Sequence, residues 1–524
     1  MLHLNLPEID EQMAPAFADP ASCARWISQF QLTDIRLAHG TLSKKLWVMN
    51  RSVLSPIDRL KITEQLRDTV SIVQSGYARK IIGKPLPLNE TEASVLAEII
   101  SLWAAMVASY GHCLKAGLAD DPGVVRHLAL TCQRSLRYTG LQIVEYLLMQ
   151  HQVEPSLWQQ LHQFYRFSEE ANFSTFPVLE SLRLYPRPNS CADHFIHTIL
   201  IGQADPYELT RKQFQLVNRW LDEWVSWASI SKTVPPAAKE SPPLVIDLES
   251  PDCVTSDARR PSVRYLDTAE LGKNLRIKIA LLQQGQAPSQ LGLGEDLSAE
   301  FCLPLLERLH RNWCEGRATR RFEKRSISHE AELCFGLQTL HDKLSGKAFT
   351  QPGEEGKLSF RQHEEIRIFG HVTSRVEKDA SHETEKWDVQ DENAGGYALM
   401  RSGEGQRVSP GYLVGIESGD GLLPCVIRWV IAGLDGSVNM GLRLLDGRPE
   451  AVALRSTGVR GAGKYVQAML LHRGEWSSIV MPKGWYARDR ILEVLDKDEL
   501  TMELKLGDLV GKGADYERAT FTQL

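Results

Sequence analysis

The feature that most constrains this fold is a change of hydrophobic period near residue 313. Before it, apolar residues recur every three or four positions, as at Ile62, Leu66 and Val70, which is the spacing of one helix face. After it, apolar and polar residues partly alternate between Gly-containing turns such as Asp435-Gly436, which is typical of antiparallel strands and hairpins. The sequence therefore predicts a multidomain α+β protein, with a helical N-terminal domain followed by an antiparallel β-barrel.

Proline and composition divide the chain further. Residues 233–243 contain four prolines and predict a linker, because proline cannot continue a helix. We predict a helical effector or partner domain at 1–232 and a connecting, mainly helical segment at 244–312. The β-barrel is predicted at 313–524, with an insertion at about 337–386 and a C-terminal β extension.

Charge and cysteine content exclude several classes of protein. The formal net charge is -6, which argues against a general nucleic-acid binder. The nine cysteines are scattered without a Cys-x-x-Cys pair, so we expect neither a metal site nor a disulfide framework.

We see no secretory signal, and the apolar run from Ile99 to Tyr110 is shorter than the ~18–20 residues of a membrane span. We therefore expect a cytoplasmic protein without a membrane span.

An arginine cluster stands where the period changes. Arg321 and Arg325 are four residues apart, and Arg317 and Arg320 lie just before them. Each guanidinium presents a planar fork of donors that matches a phosphate or the O6/N7 edge of guanine, and its flat face can stack on a base. The cluster is either an anion- and base-binding site or an ordinary solvated charged surface.

A second motif, Asp391-x-Asn393-x-x-Gly396, enters a predicted strand. A carboxylate can accept hydrogen bonds from N1 and N2 of guanine, and an amide can bond a base or the backbone. Glycine permits a close approach of a ligand to the backbone. The alternative is a structural turn, because Asp and Asn commonly bond their own backbone.

Together the two motifs resemble the signatures of the PilZ family, the bacterial receptors for cyclic di-GMP. The family pattern is Arg-x-x-x-Arg followed by Asp/Asn-x-Ser-x-x-Gly, and the strands predicted after Gly396 resemble the PilZ barrel in their order. The resemblance covers about 313–450. Asn393 stands where the family usually has Ser, and the long interval between Arg325 and Asp391 indicates the insertion.

The resemblance implies a non-enzymatic receptor of second-messenger signalling, with cyclic di-GMP as a ligand rather than a cofactor. It implies that the four arginines clamp phosphate and guanine, while Asp391, Asn393 and Gly396 form a turn that accepts a base. The helical domain would then bind a protein partner.

Other interpretations remain open. The chain could be an adaptor or scaffold whose degenerate PilZ-like barrel binds no nucleotide, which the long insertion favours and the retention of both motifs opposes. Gly458–Lys464 resembles a phosphate-binding loop, but Tyr465 replaces the Ser or Thr that would reach a metal. Trp220, Trp224 and Trp227 fall at helical spacing, and form either core or a partner-binding face.

The guanine-reading chemistry predicts a preference between two related ligands. Calorimetric titration should show tighter binding of cyclic di-GMP than of cyclic di-AMP, because adenine lacks the O6 acceptor and reverses the donor pattern at N1 and N6. Equal affinities would contradict guanine readout.

Overall fold

The computed structural model describes residues 4–180, 187–236, 241–315, 325–352, 384–393, 395–419, 421–457, 463–474, 476–496 and 500–524. The chain forms two compact units, which are described separately. The first comprises residues 1–84 and 88–319, and the second comprises Pro85–Pro87 with residues 320–524. The predicted combination of a helical region followed by an antiparallel barrel is confirmed.

The first unit is built on helices whose bounds follow the helical period of the sequence. They are α1 (Pro20–Gln29), α2 (Ile35–Met49), α3 (Pro56–Ala78), α4 (Glu90–Leu118), α5 (Leu128–Leu148), α6 (Pro155–Glu170), α7 (Cys191–Gly202), α8 (Arg211–Trp224), α9 (Ala269–Gln283) and α10 (Ala299–Cys314). A hairpin of β1 (Val178–Glu180) and β2 (Arg187–Asn189) precedes α7, and β3 (Ser229–Ser231), β5 (Val263–Asp267) and β4 (Leu244–Asp247) form a small sheet in that order.

The start of helix α4 is determined by a capping motif in the local sequence. Asn89 accepts from the backbone N–H of Glu92 at 2.9 Å, and the Glu92 carboxylate accepts from the backbone N–H of Asn89 at 3.1 Å. This reciprocal capping satisfies two donors that a helix start otherwise leaves unbonded. The helix then buries a long apolar face that includes Met106 and Leu114.

The same helix passes a composition test for a membrane span. Among the described residues, α4 is the one helix long and apolar enough to cross a membrane, and half of its most apolar window is buried inside the protein. The apolar run from Ile99 to Tyr110 forms the middle of this helix, which extends from Glu90 to Leu118. Burial of this face favours a central position in a helical core.

Residues between the predicted linker and the β region belong to the helical unit. Val234 is exposed, but Pro235 and Ser241 are buried, and the Ser241 hydroxyl donates to the carbonyl of Cys314 at 3.2 Å. The described parts of the Pro-rich segment, 233–236 and 241–243, thus lie inside the first unit rather than at its border, and the segment 244–312 does not form a separate connector. Prolines predict where a helix ends, but they do not predict the tertiary contacts that bury the residues after it.

The second unit contains two closed barrels in place of one barrel with additions. The first is formed by β6 (Arg325–Phe335), β7 (Glu385–Asn393), β8 (Gly396–Arg401), β9 (Leu413–Ser418), β10 (Gly421–Ala432) and β11 (Val438–Leu444), in the order β10-β11-β8-β7-β6-β9. The second is formed by β12 (Arg448–Ser456), β13 (Val466–His472), β14 (Ser478–Pro482), β15 (Ile491–Leu495), β16 (Thr501–Lys512) and β17 (Tyr516–Gln523), in the order β12-β13-β14-β17-β16-β15.

The predicted C-terminal β extension is therefore a complete six-stranded barrel. Its closure depends on two pairings between distant residues, β12 with β15 and β14 with β17. Alternation identifies strands one at a time, so it carries no information about which distant strands close a barrel.

Helix α11 (Gly336–Ser345) follows β6 and packs between the barrels. It begins the region predicted as an insertion, of which residues 353–383 lie outside the described residues. Leu337 and Leu340 share one apolar cluster with Leu413 of the first barrel and with Met469 and Leu471 of the second. The first helix of the predicted insertion thus contributes to the core that joins the two barrels.

Removing a side chain from this shared core should destabilise the second unit. We expect Leu340→Ala to lower its free energy of unfolding by about 2–5 kcal/mol, because a fully buried leucine leaves a cavity. Urea denaturation followed by circular dichroism at the β-sheet band measures this. The exposed Leu434 provides the matched control, and Leu434→Ala should change stability by no more than about 0.5 kcal/mol. Equal effects of the two substitutions would contradict the shared core.

Candidate functional site

The candidate site lies where β6 pairs with β7. Arg325 is the register partner of Glu392, and Ser326 is the partner of Asp391. The ladder then shifts, so that His329 pairs with Val389 and the pairing continues to Leu333 and Glu385. The end of the arginine motif and the start of the second motif, separated by a long stretch of sequence, are therefore adjacent in the barrel wall.

Two irregularities lie beside Asp391, both between Val389 and Asp391 on β7. The register of β6 against β7 shifts between Ser326 and His329, and that of β7 against β8 shifts between Val389 and Asp391. Bulges of this kind are common at barrel rims and beside functional sites, where they redirect a side chain. Asp391 is half-buried and pairs with Ala398 of β8.

The turn from β7 to β8 is held by its own side chain and by β11. The Asn393 amide oxygen accepts from the backbone N–H of Gly395 at 2.8 Å. The Gly395 carbonyl accepts from the backbone N–H of Leu444 at 3.1 Å. The Asn393 oxygen is thus engaged within the turn, and its NH2 group is the part of this side chain that can donate to a ligand.

Gly396 is required by packing. A Cβ at this position would lie 1.8 Å from the carbonyl oxygen of Leu442, far inside any contact distance. The sequence interpretation assigned this glycine to a close approach of ligand, whereas the structure shows a close approach of the β11 backbone. The residue therefore has a structural reason to be glycine that is independent of any ligand.

A cleft of about 290 Å³ opens at this end of the barrel. It forms where β6 and β9 diverge, since their pairing is confined to Leu333–Phe335 against Val414–Ile416. The cleft is lined by His329, Glu330, Glu392, Tyr397, Ile416, Glu417, Ser418 and Gly419.

The described lining of the cleft is acidic. Glu330 is paired with the ammonium of Lys386 at 3.0 Å, and this hydrogen bond raises the pKa of Lys386 above its ordinary value. Glu417 is paired with Lys343. Because both pairs are partly or largely exposed, they contribute little to stability. A dianionic ligand would need additional cations near this cleft.

The predicted site residues fall into two groups. Asp391, Asn393 and Gly396 lie in the described turn, and the backbone of Arg325 begins β6. Arg317, Arg320 and Arg321 lie outside the described residues. Sequence reasoning did not single out Glu392, Tyr397 or His329, since only the strand register shows that they border the same cleft.

Only a portion of the phosphate-loop-like segment falls in the part of the chain that is described. Gly458–Ala462 of the phosphate-loop-like segment lie outside it. The Tyr465 hydroxyl donates to Glu493, and Arg455 lies over the Tyr465 ring at 4.7 Å while pairing with Glu493 at 2.8 Å. Tyr465 thus has a structural role in the second barrel, and no group of three metal-ligating side chains occurs among the described residues.

Comparison with known proteins gives one family match. Residues 21–237 match the family described as "Cyclic-di-GMP receptor FimW, N-terminal domain", which is less than half of the chain. The matched region lies in the helical unit. No curated protein matches the chain.

One solved structure is also similar over a small region. It is described as "Structure of K. pneumonia MrkH in its apo state", with 6% sequence identity and a TM-score of 0.12. The match covers 27% of this chain and 75% of that one. At this TM-score the likeness carries no argument about fold or function.

The packing role of Gly396 can be tested by adding a single methyl group. We expect Gly396→Ala to lower the free energy of unfolding of the second unit on the order of 1–3 kcal/mol, because the backbone must deform to clear Leu442. Differential scanning calorimetry measures the shift. Gly419→Ala is the control in the same barrel, since nothing lies within 4 Å of its Cβ position. A Gly396→Ala protein as stable as the Gly419→Ala protein would contradict the packing role.

Proposed function

We propose that this chain is a bacterial, cytoplasmic receptor for cyclic di-GMP that binds its ligand at a PilZ-like first barrel. The observation that carries the proposal is the β6–β7 register, which brings the end of Arg-x-x-x-Arg beside the Asp-x-Asn-x-x-Gly turn. The printed name of the family matched by residues 21–237 supports the same ligand. The receptor is proposed to act by binding, without a catalytic step.

The ligand-binding residues have distinct proposed roles. Arg321 and Arg325 clamp phosphate and guanine with forked donors, assisted by Arg317 and Arg320. Asp391 accepts from the N1 and N2 donors of guanine, and the Asn393 NH2 group donates to the ligand. Gly396 contributes by holding the turn against β11.

The arginines are needed in this proposal because a dianionic ligand requires positive charge near the cleft. The described cleft presents Glu392 together with Glu330 and Glu417, which are paired with Lys386 and Lys343, so this lining offers a dianion little positive charge. Arg317, Arg320, Arg321 and Arg325 supply four formal positive charges. Binding of the dianion should therefore depend on these arginines far more than on the turn.

We further propose that ligand binding is coupled to the helical unit, which binds a protein partner. A ligand shifts such an equilibrium only by its differential affinity for the two states. The arginine segment joins the helical region to the first strand of the barrel in the sequence. Clamping a ligand with this segment would therefore change the connection between the units.

A second candidate function is an adaptor whose barrel binds no nucleotide. The structural roles of Asn393 and Gly396 favour it, because both residues would be retained for folding alone. The acidic cleft also favours it. An isothermal titration of the full-length chain without measurable cyclic di-GMP binding would establish this alternative over the receptor.

The clamp predicts a specific loss of affinity. We expect Arg321→Ala and Arg325→Ala each to weaken cyclic di-GMP binding by about 1–3 kcal/mol, by analogy with bidentate arginine–guanine contacts. Lysine at either position should rescue little, because the fork and the stacking plane are lost. Isothermal titration calorimetry measures these changes.

The matched control is Arg488→Ala, which removes a largely exposed arginine of the second barrel. It should leave the Kd for cyclic di-GMP unchanged. Unchanged binding by both Arg321→Ala and Arg325→Ala would place the ligand site elsewhere.

A further inference from the structure

Helix α2 presents a stripe of side chains that the described residues leave exposed on the helical unit. Leu42, Leu46 and Met49 face inward and are fully buried. The outward stripe, hereafter the α2 stripe, consists of the exposed residues Arg36, Leu37, Gly40, Lys44 and Trp47, with Arg51 just beyond the helix end. Their three- and four-residue spacing places them along one side of the helix.

Two large apolar side chains stand out on this stripe. Leu37 is 68% exposed and Trp47 is 50% exposed. The guanidinium of Arg51 lies over the Trp47 ring at 4.2 Å, which holds the indole in place. Tryptophan and arginine are the residue types that most often dominate binding energy at protein interfaces.

The exposure of Trp47 is unusual in this unit. Trp103, Trp158, Trp220, Trp224 and Trp313 are all buried. Of the two alternatives for Trp220, Trp224 and Trp227, core or partner face, the structure favours core, since Trp220 and Trp224 are buried and the Trp220 ring N–H donates to the carbonyl of Leu293 at 2.9 Å. The indole of Trp47 is therefore available to contact a partner, whereas the indoles of the buried tryptophans pack inside the unit.

A notch separates the two apolar residues. Leu37 and Trp47 are ten positions apart, or about 15 Å along the axis. Between them, nothing lies within 4 Å of the Cβ position of Gly40. A side chain of a second helix can enter this notch while its neighbours contact Leu37 and Trp47, as ridges enter grooves in helix packing.

The charge of the stripe specifies the kind of partner. Residues 35–49 contain Arg36, Lys44 and Lys45 but no Asp or Glu. Lys45 is engaged with the carbonyl of Ala16 at 3.2 Å. Asp34, just before the helix, caps it by accepting from two backbone N–H groups. Arg36, Lys44 and Arg51 thus give the stripe a local positive charge on a chain whose net charge is negative.

We propose that the α2 stripe binds an amphipathic helix of a partner protein, with apolar residues on its contact face and Asp or Glu beside them. Charge complementarity and the length of the stripe carry this choice. A membrane surface fits less well, because membrane-bound helices present a continuous apolar face, whereas Gly40 and Lys44 interrupt this one. The proposal rests on the proposed role of the helical unit as the partner-binding part.

The test is a displayed library of 18-residue amphipathic helices with fixed leucines on one face. The positions beside them encode an equal mixture of Glu and Lys. The ratio of Glu to Lys in the selected peptides then measures the charge preference of the surface. The full-length chain is the target, and selected peptides are titrated against it by fluorescence anisotropy. Trp47→Ala and Lys44→Glu should each weaken selected peptides at least 10-fold, and Trp476→Ala, at the exposed tryptophan of the second barrel, should not.

Enrichment of Glu-rich peptides with this dependence on Trp47 and Lys44 supports the proposal. Enrichment of Lys-rich peptides, enrichment independent of Trp47, or no enrichment overturns it. Binding to phosphatidylglycerol vesicles that is lost in Trp47→Ala also overturns it, because the stripe would then serve a membrane.

Cyclic di-GMP titration of the same proteins separates the two proposals. Trp47→Ala should retain the wild-type Kd for the nucleotide. A wild-type chain that selects Glu-rich peptides but binds no nucleotide overturns the receptor function and leaves the α2 stripe in place.

Discussion

The pairing of β6 with its two neighbours is the constraint on which the candidate site depends. β6 pairs with β7 from Arg325 to Leu333, and it pairs with β9 only from Leu333 to Phe335. The first contact brings the two motifs side by side, and the second closes the barrel. The gap that remains between β6 and β9 is the cleft. Closure, cleft and motif placement thus follow from the register of one strand.

The second barrel stabilises this arrangement through α11. This helix leaves the end of β6 and fills the core between the barrels with Leu337 and Leu340. Direct bonds add to it, since the Ala514 backbone N–H donates to the carbonyl of Gly411 at 2.8 Å and the Asp515 carboxylate accepts from Leu413 at 3.0 Å. β6 is therefore continuous with a helix that packs against both barrels.

Helices and strands were largely predictable, because their periods are local. Ile62, Leu66 and Val70, which showed the helical period, lie in α3, and the turn at Asp435-Gly436 connects β10 to β11. The number of barrels was not predictable, since β14–β17 pairing joins residues that no local pattern relates.

The site was predictable only in part. The motif residues could be chosen from their chemistry, but the packing of Gly396 against Leu442 depends on a distant strand. The same limit applies to tryptophan. Trp47 and Trp103 have similar helical settings in the sequence, and only tertiary packing exposes one and buries the other.

Hydrogen exchange of the full-length chain with and without cyclic di-GMP tests the central claim most directly. Backbone opening slows where a ligand orders the chain. The account predicts slower exchange in peptides covering 317–335 and 385–401, with exchange in β12–β17 unchanged. Slowing confined to the second barrel or to the helical unit, or no slowing at saturating ligand, would contradict binding at the paired motifs of the first barrel.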